Sequence, residues 1–378
     1  RLRQNERNRR QQAARLPHYH FTKLPFFSII VSVAQFIVFI VELVRMGILT
    51  GSPFQTQPYF NPMLGPSTYL LVNMGARYVP CMHAIVNVTL DMSIQFPCPN
   101  STTVETNVCN LSQLCGMGGL PVVNNAFAPD QHVRVFTAIF LHAGFLHILF
   151  NLMLQLSMGM AVERHIGFIK YGIIYMCSGV AGFLLGANFS PNGIASTGAS
   201  GSLFGLIAAN LLLFIYCGRK NTNIYFTNKY ALFIIIMVLE IIVSFVLGLL
   251  PGLDNFSHIG GFCMGLLLSV ALLQDPSFVY QDGIYTYDPS PTTWQMFAEN
   301  WNPLNKLHDK VRWKMAVWAV LRAVCAALVI VFFVLLTRNL YSLSIEENKI
   351  RCSWCKYINC IPVNGWCEMG EVTVSTQN

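Results

Sequence analysis

Seven apolar runs, each near the length that crosses a hydrocarbon core, divide this chain. They are Pro25–Leu49, Phe136–Val162, Phe168–Ala187, Ser200–Cys217, Tyr230–Leu250, Phe256–Leu273 and Met315–Leu336. Each is predicted to be a membrane helix. The interruptions inside them keep helical spacing. His147 and Asn151 lie at i, i+4, and Gln155 extends that face by one turn. A polar stripe at membrane depth must face protein or water. Its two readings are interhelical hydrogen bonding and a set of donors for a developing anion. The third run carries Gly179, Gly182 and Gly186. In the fourth, Gly201, Gly205 and Ala208 fall at i, i+4, i+7; in the sixth, His258, Gly261 and Gly265 fall at i, i+3, i+7. Such small-residue strips let helix backbones approach closely.

Composition agrees. The 378 residues are 54% hydrophobic and 11% charged, which excludes an ordinary soluble domain and points to an all-α polytopic membrane protein. Charge sets an expected orientation. Arg1, Arg3, Arg7, Arg9, Arg10 and Arg15 precede the first run; Arg164 and Lys170, then Arg219, Lys220 and Lys229, then Lys306, Lys310, Arg312 and Lys314 mark the second, fourth and sixth loops. The N-terminus is therefore expected in the cytosol and the C-terminal tail outside it. The first run has signal-anchor character rather than that of a cleaved signal, and the start at Arg1 leaves room for an upstream segment. The arginine cluster is a topology signal and a candidate contact for anionic lipid.

Twelve cysteines test that orientation. Cys81, Cys98, Cys109 and Cys115 lie in the first loop, and Cys352, Cys355, Cys360 and Cys367 in the tail, both non-cytosolic by charge. Even numbers of thiols on that side are expected to be oxidised. Cys352-Ser-Trp-Cys355 could open a zinc site, but no second pair follows at metal spacing. Asn87-Val-Thr, Asn100-Ser-Thr and Asn110-Leu-Ser are sequons in the same loop, whereas Asn188-Phe-Ser lies close to the bilayer. Together these features place the chain in the secretory pathway: Golgi, plasma membrane or endosome. The first loop is too long for a connector and is read as a small ordered ectodomain.

The chemistry lies in Gly198-Ala-Ser200-Gly201 and Ser257-His258-Ile-Gly-Gly261. Serine and histidine are the minimum pair for nucleophilic hydrolysis, the imidazole taking the hydroxyl's proton. Both runs begin on the same side of the membrane, so Ser200 and His258 sit at similar depth, each beside a small-residue strip. Taken alone, a serine in Gly-Ala-Ser-Gly is a packing residue and a histidine opening a helix is an interfacial group. Their matched depth joins them. Ser202 breaks the Gly-x-Ser-x-Gly pattern of soluble hydrolases.

Gly198-Ala-Ser200-Gly201, His258 with Gly261 and Gly265, His142, His147-Ile-Leu-Phe-Asn151 and Glu163-Arg164 resemble, in this order, the rhomboid family of intramembrane serine proteases. The likeness covers Phe136–Leu273. The long first loop, with Asn61–Pro66 and Met74–Arg77, and the seventh run resemble the eukaryotic secretase-type branch. The resemblance implies a six-helix core plus a seventh C-terminal transmembrane helix. It implies Ser200 as nucleophile, His258 as base, and His147, Asn151 and the Ser200 amide as oxyanion hole. His142 would support the loop above the site, and Glu163 and Arg164 the fold. Phe204 stands where bacterial members have Tyr, within stacking reach of His258. Val133-Arg134 replaces a Trp-Arg pair, which puts that loop's anchoring in question. No acidic third member is assigned; Asp254 lies close to His258 in sequence and receives no role. Glu42, toward the non-cytosolic end of the first run, receives no role.

The division this implies is a basic cytosolic segment (1–24), first span (25–49), lumenal loop with disulfides and sequons (50–135), the rest of the catalytic core (136–275), cytosolic loop (276–314), seventh span (315–338) and cysteine-containing lumenal tail (339–378). The expected activity is cleavage of single-pass transmembrane substrates near the lumenal face, releasing ectodomains, with no cofactor, no metal and no nucleic acid. The oligomeric state is left open. Two other classes compete. One is a catalytically silent chaperone or trafficking factor of the same fold. The other is a transporter or channel, against which stands the lack of an inverted hydropathy repeat or paired broken helices.

Overall fold

The computed structural model describes residues 24–217, 230–247, 254–273, 309–342 and 352–360, apart from 58, 86–87, 102–106 and 353. Of the expected segments, the basic N-terminal stretch and most of 276–314 lie outside those residues, as does Asn87.

The first run forms helix α1 (Phe26–Thr50), closed by Gly51 in the left-handed conformation. Its free N-terminal N–H groups are satisfied from far along the chain. The Glu163 carboxylate accepts from Phe27 N at 2.9 Å, Ser28 N at 2.8 Å and Ser28 Oγ at 2.6 Å. An acidic group at this end also suits the helix dipole.

The first loop folds into short elements. They are α2 (Thr68–Met74), α3 (Val79–Met82), β1 (Phe96–Pro97), β2 (Val108–Cys109), α4 (Leu111–Cys115), β3 (Val122–Val123) and β4 (Ala126–Phe127). β1 pairs antiparallel with β2 and β3 with β4. Disulfides Cys81–Cys115 and Cys98–Cys109 tie these pieces over a small core that includes Val79, Met82, Leu111 and Leu114. Asn110 opens α4 with a capping box, its side chain accepting from Gln113 N.

α5 (Arg134–Thr137) leads into the membrane half. Arg134 is fully buried and donates to the carbonyls of Val72 and Ala76, each at 2.7 Å, to that of Cys115, and to Gln131 Oε1 at 2.9 and 2.6 Å. The loop is thus anchored without the tryptophan, because backbone carbonyls of α2 and α4 hold the guanidinium.

The second run is not one helix from Phe136. Its transmembrane part is α6 (Phe145–Leu154), a π-helical turn at Gln155–Gly159, and α7 (Met160–Ile166). The chain breaks at Gly144 because the first loop pairs there: Phe145 N donates to Leu64 O at 2.9 Å and Leu146 N to Met63 O at 3.2 Å. A Cβ on Gly144 would collide with the Met63 carbonyl, and one on Gly65 with the Ala143 carbonyl. His142 consequently lies in a loop.

The remaining helices are α8 (Phe168–Phe189), α9 (Ser200–Cys217), α10 (Tyr230–Leu247), α11 (Asn255–Leu272) and α12 (Asp309–Ser342). Among the described residues five helices are long and apolar enough to span a membrane: Phe26–Thr50, Phe145–Ile166, Phe168–Phe189, Asn255–Leu272 and Ala316–Tyr341; Ser200–Ile215 is a shorter apolar helix. The fold is all-α at membrane depth. α8, α9 and α11 pack on one another, with α12 against α8 and α11. Asn188, of the near-bilayer sequon, is buried and donates to Leu184 O at 2.7 Å and Leu336 O at 3.2 Å, so its amide is taken up in holding α12.

Candidate active site

α9 and α11 meet glycine to glycine. A Cβ on Gly261 would collide with the Gly201 carbonyl, and one on Gly265 with the backbone of Gly205. No side chain larger than hydrogen fits, so the two backbones lie in contact along the strips predicted from spacing. α8 joins them: a Cβ on Gly182 would meet the Ser257 carbonyl, and one on Gly186 the Asp254 carboxylate.

This packing brings the first turns of α9 and α11 together. His258 Nε2 lies 3.1 Å from Ser200 Oγ, fifty-eight positions apart in sequence. Both residues are half-buried. The Phe204 ring stacks on His258 with centroids 4.5 Å apart and planes at 18°, and Phe245 of α10 lies 5.0 Å beyond Phe204. Phe204 therefore does by stacking what a phenol would do with its ring, without the hydroxyl.

His258 Nδ1 is buried with no hydrogen-bond partner among the described residues. Asp254 does not reach it. Its Oδ2 accepts from Arg77 Nη2 at 2.6 Å and Ser257 Oγ at 2.5 Å, and its Oδ1 from Ser190 Oγ at 2.5 Å. Burial raises the carboxyl's pKa, but Arg77 and the two hydroxyls outweigh it and hold the group below its ordinary value. Arg77 also pairs with Ser196 through two backbone hydrogen bonds, 3.0 and 2.9 Å. Arg77 thus fastens the first loop to the segment before Ser200 through its backbone and to the start of α11 through its ion pair with Asp254. Sequence reading left both residues unassigned; the signal available was an acid and a base in otherwise apolar surroundings.

The predicted donors meet the chain at Gly198. Gly198 has φ 111°, a left-handed conformation, and a Cβ there would lie 2.6 Å from His147 Nε2 and 3.4 Å from Asn151 Nδ2. Glycine is needed both for the turn and for the approach of these two side chains. Ala143 N donates to His147 Nδ1 at 3.3 Å, which leaves the proton of the neutral ring on Nε2, the atom facing Gly198. Asn151 Nδ2 is buried and has no partner among the described residues. The two side-chain nitrogens therefore converge on Gly198, two residues before Ser200. Gln155, next on the stripe, is turned to structure instead: it donates to Ser32 Oγ at 2.7 Å and Gln35 Oε1 at 3.2 Å and accepts from Tyr175 OH at 2.6 Å.

The loop above is built from His142. Its ring meets His147 edge-on, centroids 5.3 Å apart, and its backbone N donates to Glu42 Oε1 at 3.1 Å. Asn61 Nδ2 donates to Ala143 O at 3.0 Å. Glu42 is fully buried and was missed as a supporting residue; a carboxyl deep in an apolar run was the clue to it. Of the other predicted residues, Glu163 caps α1, and half-buried Arg164 follows it at that end. Asn100 and Asn110 lie on the first loop. Cys352 is bonded to Cys355, and Cys360 is also disulfide-bonded.

Fold and site define a polytopic helical membrane protein with a serine–histidine pair where two helices pack glycine to glycine. A family model for the rhomboid domain matches residues 129–275. The chain is 42% identical to "Rhomboid-type serine protease 2" of Emericella nidulans, over 93% of this chain and 73% of that one. It is 34% identical to "RHOMBOID-like protein 4" of Arabidopsis thaliana, over 71% of this chain and 58% of that one. It is 31% identical to "Inactive rhomboid protein 1" of Homo sapiens, over 71% of this chain but only 26% of that one. The chain belongs to the rhomboid family.

Proposed function

We propose that the protein is an intramembrane serine endopeptidase with Ser200 and His258 as its catalytic dyad. The observation that carries this is the 3.1 Å contact between His258 Nε2 and Ser200 Oγ, supported by two side-chain nitrogens, of His147 and Asn151, that converge on Gly198 two residues earlier. As Ser200 Oγ attacks the scissile carbonyl, His258 Nε2 takes its proton. The oxygen's negative charge is met by His147 Nε2–H, Asn151 Nδ2–H and the Ser200 N–H. His258 then gives its proton to the departing amine as the C–N bond breaks. Water repeats the sequence on the acyl-enzyme: His258 takes its proton, hydroxide adds, and the Ser200 oxygen leaves with that proton. Phe204 keeps the imidazole plane fixed throughout.

The substrate class is a single-pass transmembrane helix, unwound before attack because its carbonyls are otherwise hydrogen-bonded. Charge, sequons and disulfides support a lumenal or extracellular site in the secretory pathway, with release of ectodomains. The inactive relative gives a specific reason for a second reading, a membrane chaperone that binds helices without cutting them. Reconstituted protein separates the two. Wild type should cleave a type I membrane substrate at one site and Ser200→Ala should not. Substrate retained intact but bound by both would favour the chaperone.

A further inference from the structure

Asn359, near the end of the chain, reaches the helix that carries His258. Its Oδ1 accepts from Phe256 N at 3.2 Å, and its Nδ2 donates to Ser190 Oγ at 2.9 Å and Asp254 Oδ1 at 3.5 Å. The neighbouring Ile358 carbonyl accepts from Asn255 Nδ2 at 2.9 Å, and that same amide group lies 3.4 Å from the Phe245 carbonyl of α10. Asn359 is 3% exposed, and Cys355 and Cys360 on either side are buried. The segment is tied by the Cys352–Cys355 disulfide, a 3-10 turn at Cys355–Ile358 and the disulfide of Cys360.

α11 needs this contact. Asp254 occupies its N-cap position, yet makes no side-chain cap hydrogen bond to the helix backbone, its oxygens being taken by Arg77, Ser190 and Ser257. The first N–H groups of a helix have no intrahelical acceptor. The Phe256 N–H, two residues before His258, finds its acceptor in Asn359. The tail therefore caps, from outside, the turn on which the imidazole stands.

We infer that Asn359 is a positioning residue of the active site, and that the disulfide-tied tail exists in part to deliver it. It touches neither Ser200 nor His258; it acts by holding the first turn of α11 at the depth and angle that keep His258 Nε2 on Ser200 Oγ. This rests on the proposed dyad.

The test is fluorophosphonate labelling of the full-length oxidised protein, which reads the rate of serine modification separately from the fraction of molecules competent to react. Wild type supplies the control for the dyad: absence of labelling there defeats the functional reading, not this one. With wild type labelled, Asn359→Ala should react about fivefold to tenfold more slowly, the scale of one lost helix cap, at undiminished final amplitude. In a cleavage assay kcat should fall by the same factor with KM unchanged. Labelling at the wild-type rate overturns the inference. If Asn359→Ala instead loses amplitude, the decision passes to Cys352→Ser/Cys355→Ser/Cys360→Ser, which keeps Asn359 but removes both disulfides that tie its segment. Slower labelling at full amplitude upholds the positioning role. A wild-type rate, or lost amplitude alone, means the tail serves folding and overturns it.

Discussion

The two sides of the candidate site are built on opposite principles. On one side Ser200 and His258 are brought together by the absence of side chains. Gly201 against Gly261 and Gly205 against Gly265 leave backbone on backbone, and polar contacts enter only at the N-terminal end of α11, through Arg77 and Asn359. On the other side His147 and Asn151 are set by polar contacts between distant segments: Glu42 to His142 N, Asn61 to the Ala143 carbonyl, Ala143 N to His147. The first arrangement tolerates no added volume. The second should tolerate changes of charge that preserve hydrogen-bond geometry. A hydrolase needs both, a fixed distance for proton transfer and oriented dipoles for the oxyanion.

Adding volume to the glycine side should have the largest effect. Gly261→Val places three carbons where the Gly201 carbonyl stands, so α9 and α11 must separate and both cleavage and labelling of Ser200 should vanish. A Gly261→Val protein that folds and cleaves normally would mean the close approach of these helices is not what aligns the pair.

Next come the donors. Asn151→Ala should lower kcat by roughly 10²–10³-fold when the donor is fully engaged, with little change in KM, because it acts on charge present only in the transition state. His147→Ala should behave alike, and the double variant should exceed either. Steady-state kinetics on a membrane substrate decide this; three unchanged rates would remove these residues from the mechanism.

Glu42 separates hydrogen bonding from charge. Glu42→Ala deprives the His142 N–H of its buried acceptor, whose loss costs about 1–3 kcal/mol, and should slow turnover through a mis-set His147. Glu42→Gln keeps an oxygen acceptor and should recover most of the rate. Equal defects in the two would show that the carboxylate charge, not the hydrogen bond, is what the loop requires.

The smallest effect is expected at the edge of the glycine side, where α10 meets it through a ring rather than a glycine. Phe245 packs on Phe204, 5.0 Å away. If α10 is the lateral entry for substrate, Phe245→Ala should loosen it and raise cleavage of a membrane-embedded substrate severalfold. The labelling rate with a small fluorophosphonate, which needs no lateral entry, should stay near wild type. A parallel change in both would place Phe245 with the dyad instead of the gate.

These two sides also differed in how far the sequence disclosed them. Helix spacing is local, so the strips at Gly201, Gly205, Gly261 and Gly265 and the stripe at His147 and Asn151 could be read directly, and with them the all-α architecture. The break at Gly144 could not, because its cause is the Met63 carbonyl arriving from another part of the chain. The same is true of Glu163 capping α1 and of Arg77 meeting Asp254: each is a partner choice across more than a hundred residues, on which periodicity is silent. Arg134 makes the converse point. Its anchoring was in question because a neighbouring tryptophan was missing, yet what holds it is mainly backbone carbonyls, which any residue supplies.

The central claim is that Ser200 is made nucleophilic by His258 across the α9–α11 contact. The most direct measurement is fluorophosphonate labelling of the purified protein with the modified residue located by peptide mass spectrometry, for wild type and for His258→Ala. The dyad predicts a single modified serine, Ser200, in wild type and almost none in His258→Ala with the fold retained. Unlabelled wild type, labelling at another serine, or equal labelling of Ser200 in both proteins would contradict it.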